Sequence, residues 1–165
     1  MNSIDDVRKK VAELGQLINA PMNKLYVFEN NEEGYHLELH GDEYHYILSE
    51  RGQELDRFVT KIFDDLLYKI FEHITSSMAF SYEFDNRVLN QDSRRIAFTK
   101  KIELMSAINE SWRKKIEQEI AKILQNSPYD DLSCARAELC GVLMRKGMSS
   151  DQAYEEACKK FPLPE

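Results

Sequence analysis

YHLELHGDEYHYILSE, residues 35–50, decides the fold. Apolar and polar side chains alternate on both sides of Gly41-Asp42, and a two-residue turn of this type between alternating runs is a β-hairpin signature. If His40 pairs with Glu43, then Leu39 faces Tyr44, Leu37 faces Tyr46 and Tyr35 faces Leu48. Successive strand residues point to opposite faces, so these six apolar side chains share one face. Turn chemistry and apolar pattern thus specify the same register.

Working outward, KLYVFE (24–29) is β-rich and NNEEG (30–34) supplies a turn. On the other side, Arg51-Gly52 offers a second tight turn, and QELDRFV (53–59) either returns as a further strand or begins the next helix. As a strand it places Leu55 opposite Leu48 and Val59 opposite Tyr44, with Thr60 as N-cap of the helix that follows. Helical periodicity occupies the rest. Ser3 and Asp6 form a capping box for a helix to about Ile18, striped by Val7, Val11, Leu14 and Ile18. From about Lys61, Ile62, Leu66, Ile70 and Ile74 form one ridge, and Phe63, Leu67 and Phe71 its neighbour. A helix over about 92–107 and another capped by Asn109 and ended by Ser127-Pro128 come next. The tail is a helical hairpin stopped by Gly147 and restarted by Ser149 with Gln152. The expectation is an α+β fold: a small antiparallel meander of three to four strands, packed on one face by amphipathic helices. One domain over 1–165 is expected, with an N-terminal helix (1–20), the meander (24–59), a helical core (61–126) and the C-terminal hairpin (129–162).

No apolar run approaches the ~20 residues that span a bilayer, and the N-terminus lacks an apolar signal core, so a cytoplasmic protein without membrane contact is expected. The net charge is −7, with 8 basic against 4 acidic side chains over 93–127 and an acidic excess elsewhere. A field of this sign repels nucleic acid and attracts basic partners. The basic stretch alternates with acids, as a solvated helix face does. Cys134, Cys140 and Cys158 are odd in number and lack CxxC spacing, which favours buried free thiols over disulfides or zinc.

Two constellations carry chemistry. Strand alternation places His36, Glu38 and His40 on the face opposite the apolar one, with His45 across from Glu38. Three imidazoles and a carboxylate are zinc ligands by type, which gives one reading as a small metal-dependent enzyme. The plainer reading is the solvated face of an antiparallel sheet, with no metal or other cofactor. The second constellation is SYEFDNRVLNQDSRR (81–95), crowded with hydrogen-bonding groups that helix periodicity does not explain. Asp85, Arg87, Asp92, Arg94 and Arg95 form either an internal network that fixes a turn between helices or a partner-contacting surface. Tyrosine and arginine are enriched at binding hot spots. The candidate partner-binding residues are Tyr82, Glu83, Asp85, Arg87, Asp92 and Arg95. No G-x-S-x-G, P-loop or G-x-G-x-x-G occurs, so no catalytic residue is singled out and a protein-interaction role is expected, a cytoplasmic adaptor being one form of it.

An ordered series of elements then resembles the bacterial family Immunity protein 63: YHYILSERGQE (44–54), LLYKIFEHIT (66–75), SMAFSYEFDNR (77–87), QDSRRIAF (91–98), KIELMSAIN (101–109), Trp112 and SPYDD (127–131). Lys69 and Ser93 depart from it, standing where aromatics are expected. The resemblance implies an immunity protein of a polymorphic toxin system. Such a protein is cytoplasmic, non-catalytic, and neutralises a cognate toxin stoichiometrically; separately, the acidic charge of this chain would complement a basic, nuclease-like toxin.

Overall fold

A computed structural model describes residues 2–24, 27, 29 and 33–164. Its elements are α1 (Ile4–Leu17), β1 (Gly34–His40), β2 (Glu43–Glu50), β3 (Gln53–Thr60), α2 (Phe63–Asp85), α3 (Ser93–Ile108), α4 (Glu110–Asn126), α5 (Ser133–Arg145) and α6 (Ser150–Lys160). The architecture is α+β, with a three-stranded antiparallel sheet ordered β1-β2-β3. The strand expected over 24–29 and the turn at 30–34 lie largely outside the described residues; Lys24 ends a short 3-10 turn, Met22–Lys24. The residues fall into two compact units, Met1–Met78 with Lys101–Lys114, and Ala79–Lys100 with Lys115–Glu165.

The first unit holds the sheet. The β1–β2 register is the expected one, with Leu39 opposite Tyr44, Leu37 opposite Tyr46 and Tyr35 opposite Leu48. Leu37, Tyr44 and Tyr46 are buried, and Tyr35 stacks on Tyr46 at 4.8 Å between ring centroids. Helices cover this face: Tyr44 meets Phe63 of α2, its hydroxyl accepts a hydrogen bond from the Asn2 backbone at 2.9 Å, and Tyr35 meets His73 of α2 at 4.0 Å. Ser3 and Asp6 cap α1 reciprocally, and its Val7 and Val11 are fully buried. Trp112 completes the core against Tyr68 and Phe71, its indole N–H donating to Asp64 at 3.1 Å. A buried Trp N–H needs such an acceptor.

Segment 53–59 is a strand, but its expected register is off by one. Ser49 pairs with Glu54 and Leu48 with Asp56, so Leu55 is the extra residue of a β-bulge. A bulge sets two residues of one strand against one of its partner and switches the faces of everything beyond it. Val59 therefore lies opposite His45, 44% exposed, while Phe58 takes the place beside Tyr46. Thr60 is still in the strand. Its hydroxyl accepts the Ile62 N–H at 3.0 Å, and α2 begins only at Phe63.

The second unit is helical. Ile116, Ile120, Ala79 and Ala97 are buried, and α5 pairs with α6 through the fully buried Ala153 and Ala157. Gly147, at φ +95°, ends α5 in the left-handed region that glycine adopts without strain. The cysteines are free thiols as expected, yet Cys134 is exposed and Cys140 and Cys158 half-buried, because α5 and α6 bury little beyond their small-residue seam.

Candidate functional site

The polar cluster of 81–95 divides into an inward half and an outward half, both within the second unit. The inward half begins with Asp92, which precedes α3. Its carboxylate accepts the Arg94 backbone N–H (2.9 Å), the Asp130 backbone N–H (2.8 Å) and the Arg94 guanidinium (2.6 Å from Nη2). The Arg94 guanidinium goes on to donate to the Ser127 and Pro128 carbonyls at 2.9 and 2.7 Å. Asp131 answers from the other side, accepting the Asp92 N–H at 2.8 Å and a two-pronged hydrogen bond from Arg95, both at 2.9 Å. The Tyr129 ring lies under both guanidiniums, 4.3 Å from that of Arg95 and 5.6 Å from that of Arg94. Asp130 binds Arg136 at 2.7 Å, and Arg136 also donates to the Phe161 and Pro162 carbonyls. A carboxylate fed by a fork of guanidinium N–H groups is a strong, orientation-specific contact. The Arg94 hydrogen bonds pull the Asp92 carboxyl down to about 2, and backbone N–H groups add to this against partial desolvation. Arg136 and Arg95 likewise lower Asp130 and Asp131.

The outward half is the last turn of α2 and the segment after it. Glu83 is turned inward and buried, gripping Arg87 at 2.8 and 2.9 Å, and that hydrogen bonding lowers its carboxyl. Tyr82, Asp85 and Arg87 are exposed, with Lys100 over the Tyr82 ring at 4.8 Å and Arg87 over the Phe84 ring at 5.6 Å. Phe84 is 71% exposed, Val88 52% and Leu89 87%. Of the six residues singled out in sequence, Tyr82, Asp85 and Arg87 present themselves to solvent. Glu83 and Asp92 have their carboxylates spent internally, and Arg95 is committed to Asp131. Sequence reasoning missed Phe84, Val88 and Leu89. Their signal is available: two adjacent apolar residues, Val88-Leu89, belong to no helical stripe and precede the polar Asn90-Gln91.

The sheet face with the imidazoles lies in the first unit. His45 does stand opposite Glu38, and His40 bonds Glu38 at 2.7 Å. The bulge, however, delivers Arg57 to the same face, where its guanidinium reaches His45 Nδ1 at 2.8 Å, Glu38 at 3.7 Å and Glu54 at 2.6 Å. A guanidinium sits among the groups that a metal ion would need. Among the described residues no group of three or more His, Cys, Asp or Glu side chains is arranged to hold one. Hydrogen bonding from His40 and the charge of Arg57 lower the Glu38 carboxyl. Nor is this face fully solvated: His36, Ile47 and Ser49 are buried. Arg57 pairs directly opposite Ile47 and runs back across the strands to reach Glu38, so its stem lies over the sheet.

Fold and site together define an α+β protein with a rigid arginine–aspartate framework beside an exposed apolar and charged helix end. Residues 41–122, about half of the chain, match the model of the family Immunity protein 63, and the chain carries that family's segment. The segment takes in β2, β3, α2, α3 and most of α4, including Tyr82 to Arg95; SPYDD (127–131) lies beyond it. It is a family of immunity proteins, not an enzyme class. No curated protein and no solved structure matches the chain. No described helix is long and apolar enough to cross a membrane.

Proposed function

We propose that this chain is an immunity protein that binds a cognate bacterial toxin domain in the cytoplasm and neutralises it one-to-one, without catalysis. The observation that carries this reading is the exposed end of α2, where Phe84, Val88 and Leu89 stand beside the charges of Asp85 and Arg87 within the family-matched segment. Solvated apolar side chains on a rigid support are what an interface core needs, and charged neighbours supply its polar rim. Tyr82, Asp85 and Arg87 touch the toxin directly in this reading. Glu83, Asp92 and Arg95 hold the contact end in shape. An acidic protein complements a basic, nuclease-like toxin, and opposite fields speed capture. The test is direct binding to the purified product of the neighbouring gene. A complex of one copy each by native mass, with toxin activity suppressed in proportion to added protein, is the expected outcome. Failure to bind any neighbouring product refutes the reading. F84A and D85K should each weaken a real complex while leaving the melting temperature unchanged.

A further inference from the structure

The second unit contains a groove of about 830 Å³ beside the proposed contact end. One wall is the segment after α2, including Val88 and Leu89. The other is the start of α5, with Ser133, Cys134 and Glu138, and Leu163 borders it. Its volume is in the range that accepts ligands or several side chains. Its rim is apolar and solvated at Val88, Leu89 and Leu163. Its ionic groups are almost all spent: Arg87 on Glu83, Arg94 on Asp92, and Asp130 on Arg136. Among the described charged residues of the lining, Glu138 is the exception, exposed on α5 and joined to none of them. The groove therefore offers one uncompensated negative charge next to apolar contacts.

We infer that this groove takes an extended segment of the partner protein in which a lysine or arginine adjoins an apolar side chain, and that Glu138 reads the cation. This rests on the toxin-binding reading and deepens it. A bare inorganic cation would leave Leu89 and Val88 uncovered, and a purely apolar segment would desolvate Glu138 without a partner, which costs binding. The two walls also differ in origin. Val88 and Leu89 belong to the family-matched segment, while Ser133 to Glu138 lie beyond residue 122. The matched segment thus supplies the platform, and α5 supplies a charge that discriminates between toxins. A mismatched charge at such a place repels, so specificity comes from exclusion as well as attraction.

The experiment uses the full chain and the purified product of the neighbouring gene. Binding is measured for wild type, E138Q and E138K, and Cys134, exposed in the groove wall, is followed by N-ethylmaleimide alkylation with peptide mass spectrometry. The expected result is slowing of Cys134 alkylation by about tenfold or more in the complex. E138K should weaken affinity by about tenfold or more and E138Q by less, with unchanged melting temperatures, as for truncation against reversal of a charge contact. If the complex forms but E138K binds as wild type does, the role of Glu138 is overturned. If Cys134 also reacts at its free rate, the groove is not the docking site, and the toxin-binding reading stands on α2 alone. If wild type binds no neighbouring product, both inferences fall together.

Discussion

At the scale of single residues, one carboxylate illustrates how a polar cluster becomes architecture. Asp92 is the acceptor for a guanidinium and two backbone N–H groups from two separate stretches of chain. Removing it leaves the two backbone N–H groups without their acceptor and the Arg94 guanidinium with only its hydrogen bonds to Ser127 and the Pro128 carbonyl, and a buried donor left unpaired costs more than the bond itself contributed. D92A should therefore lower unfolding free energy by ~1–3 kcal/mol in urea titrations, whereas D85K, at an exposed side chain, should leave the midpoint unmoved. The pH dependence has a definite sign. The Asp92 carboxyl is lowered from 3.8 to about 2, so the folded state favours its ionised form. Its stabilising contribution is complete above the unfolded value and is lost as pH falls from about 4 toward about 2. The stability gap between wild type and D92N should accordingly be widest near neutral pH and close toward pH 2. A gap that widens on acidification would contradict the assignment. Composition made the cluster visible in the sequence, but its pairing was not legible. Arg95 meets Asp131 and Arg94 meets Pro128 across more than 30 residues, and nothing local in 81–95 announces those partners.

At the scale of elements, the hairpin of β1 and β2 was legible because two independent signals, a Gly41-Asp42 turn and a period of two, named one register. The next turn shows why such reasoning stops short. Arg51-Gly52 fixes a tight return, yet the register slips at Leu55 because β3 carries one residue more than its partner there. The alternating pattern of QELDRFV fits both registers, and only the bulge brings Phe58 beside Tyr46 and Arg57 beside His45. The guanidinium among the strand imidazoles follows from the same slip: the unbulged register sends Arg57 to the other face. The turn itself carries a correctable defect. Arg51 has φ +53° and Gly52 φ +73°, so both central residues occupy the left-handed region. Such a pair favours Asn-Gly, since asparagine tolerates positive φ better than a long side chain does. R51N should therefore raise the melting temperature, with a gain of ~0.5–1 kcal/mol, and R51V should lower it. The backbone N–H of residue 51, which donates to Glu33, is kept in either variant.

At the scale of the whole molecule, the charge is unevenly divided. The sheet-bearing unit holds 17 acidic and 11 basic side chains, while the helical unit, with the proposed contact end, holds 12 and 11. Nearly all of the −7 therefore belongs to residues outside the proposed contact. Charge placed away from an interface contributes little to the bound contacts, but it still shapes the field through which a partner approaches. The consequence is kinetic. For a basic toxin, the association rate should fall by ~10-fold or more between low and high salt as the screening length shrinks from ~30 Å toward ~3 Å. The dissociation rate, set in the proposed reading by the exposed Phe84, Leu89 and their neighbours, should barely change. Stopped-flow binding of wild type and the double variant E50K/D56K separates the two contributions. Both positions are exposed in the sheet-bearing unit, and the exchange moves the net charge from −7 to −3. The variant should associate more slowly at low salt, converge on wild type at high salt, and dissociate at the wild-type rate. Equal association rates at low salt would show that the acidic sheet unit does not steer the toxin, and that recognition resides in the helical unit alone.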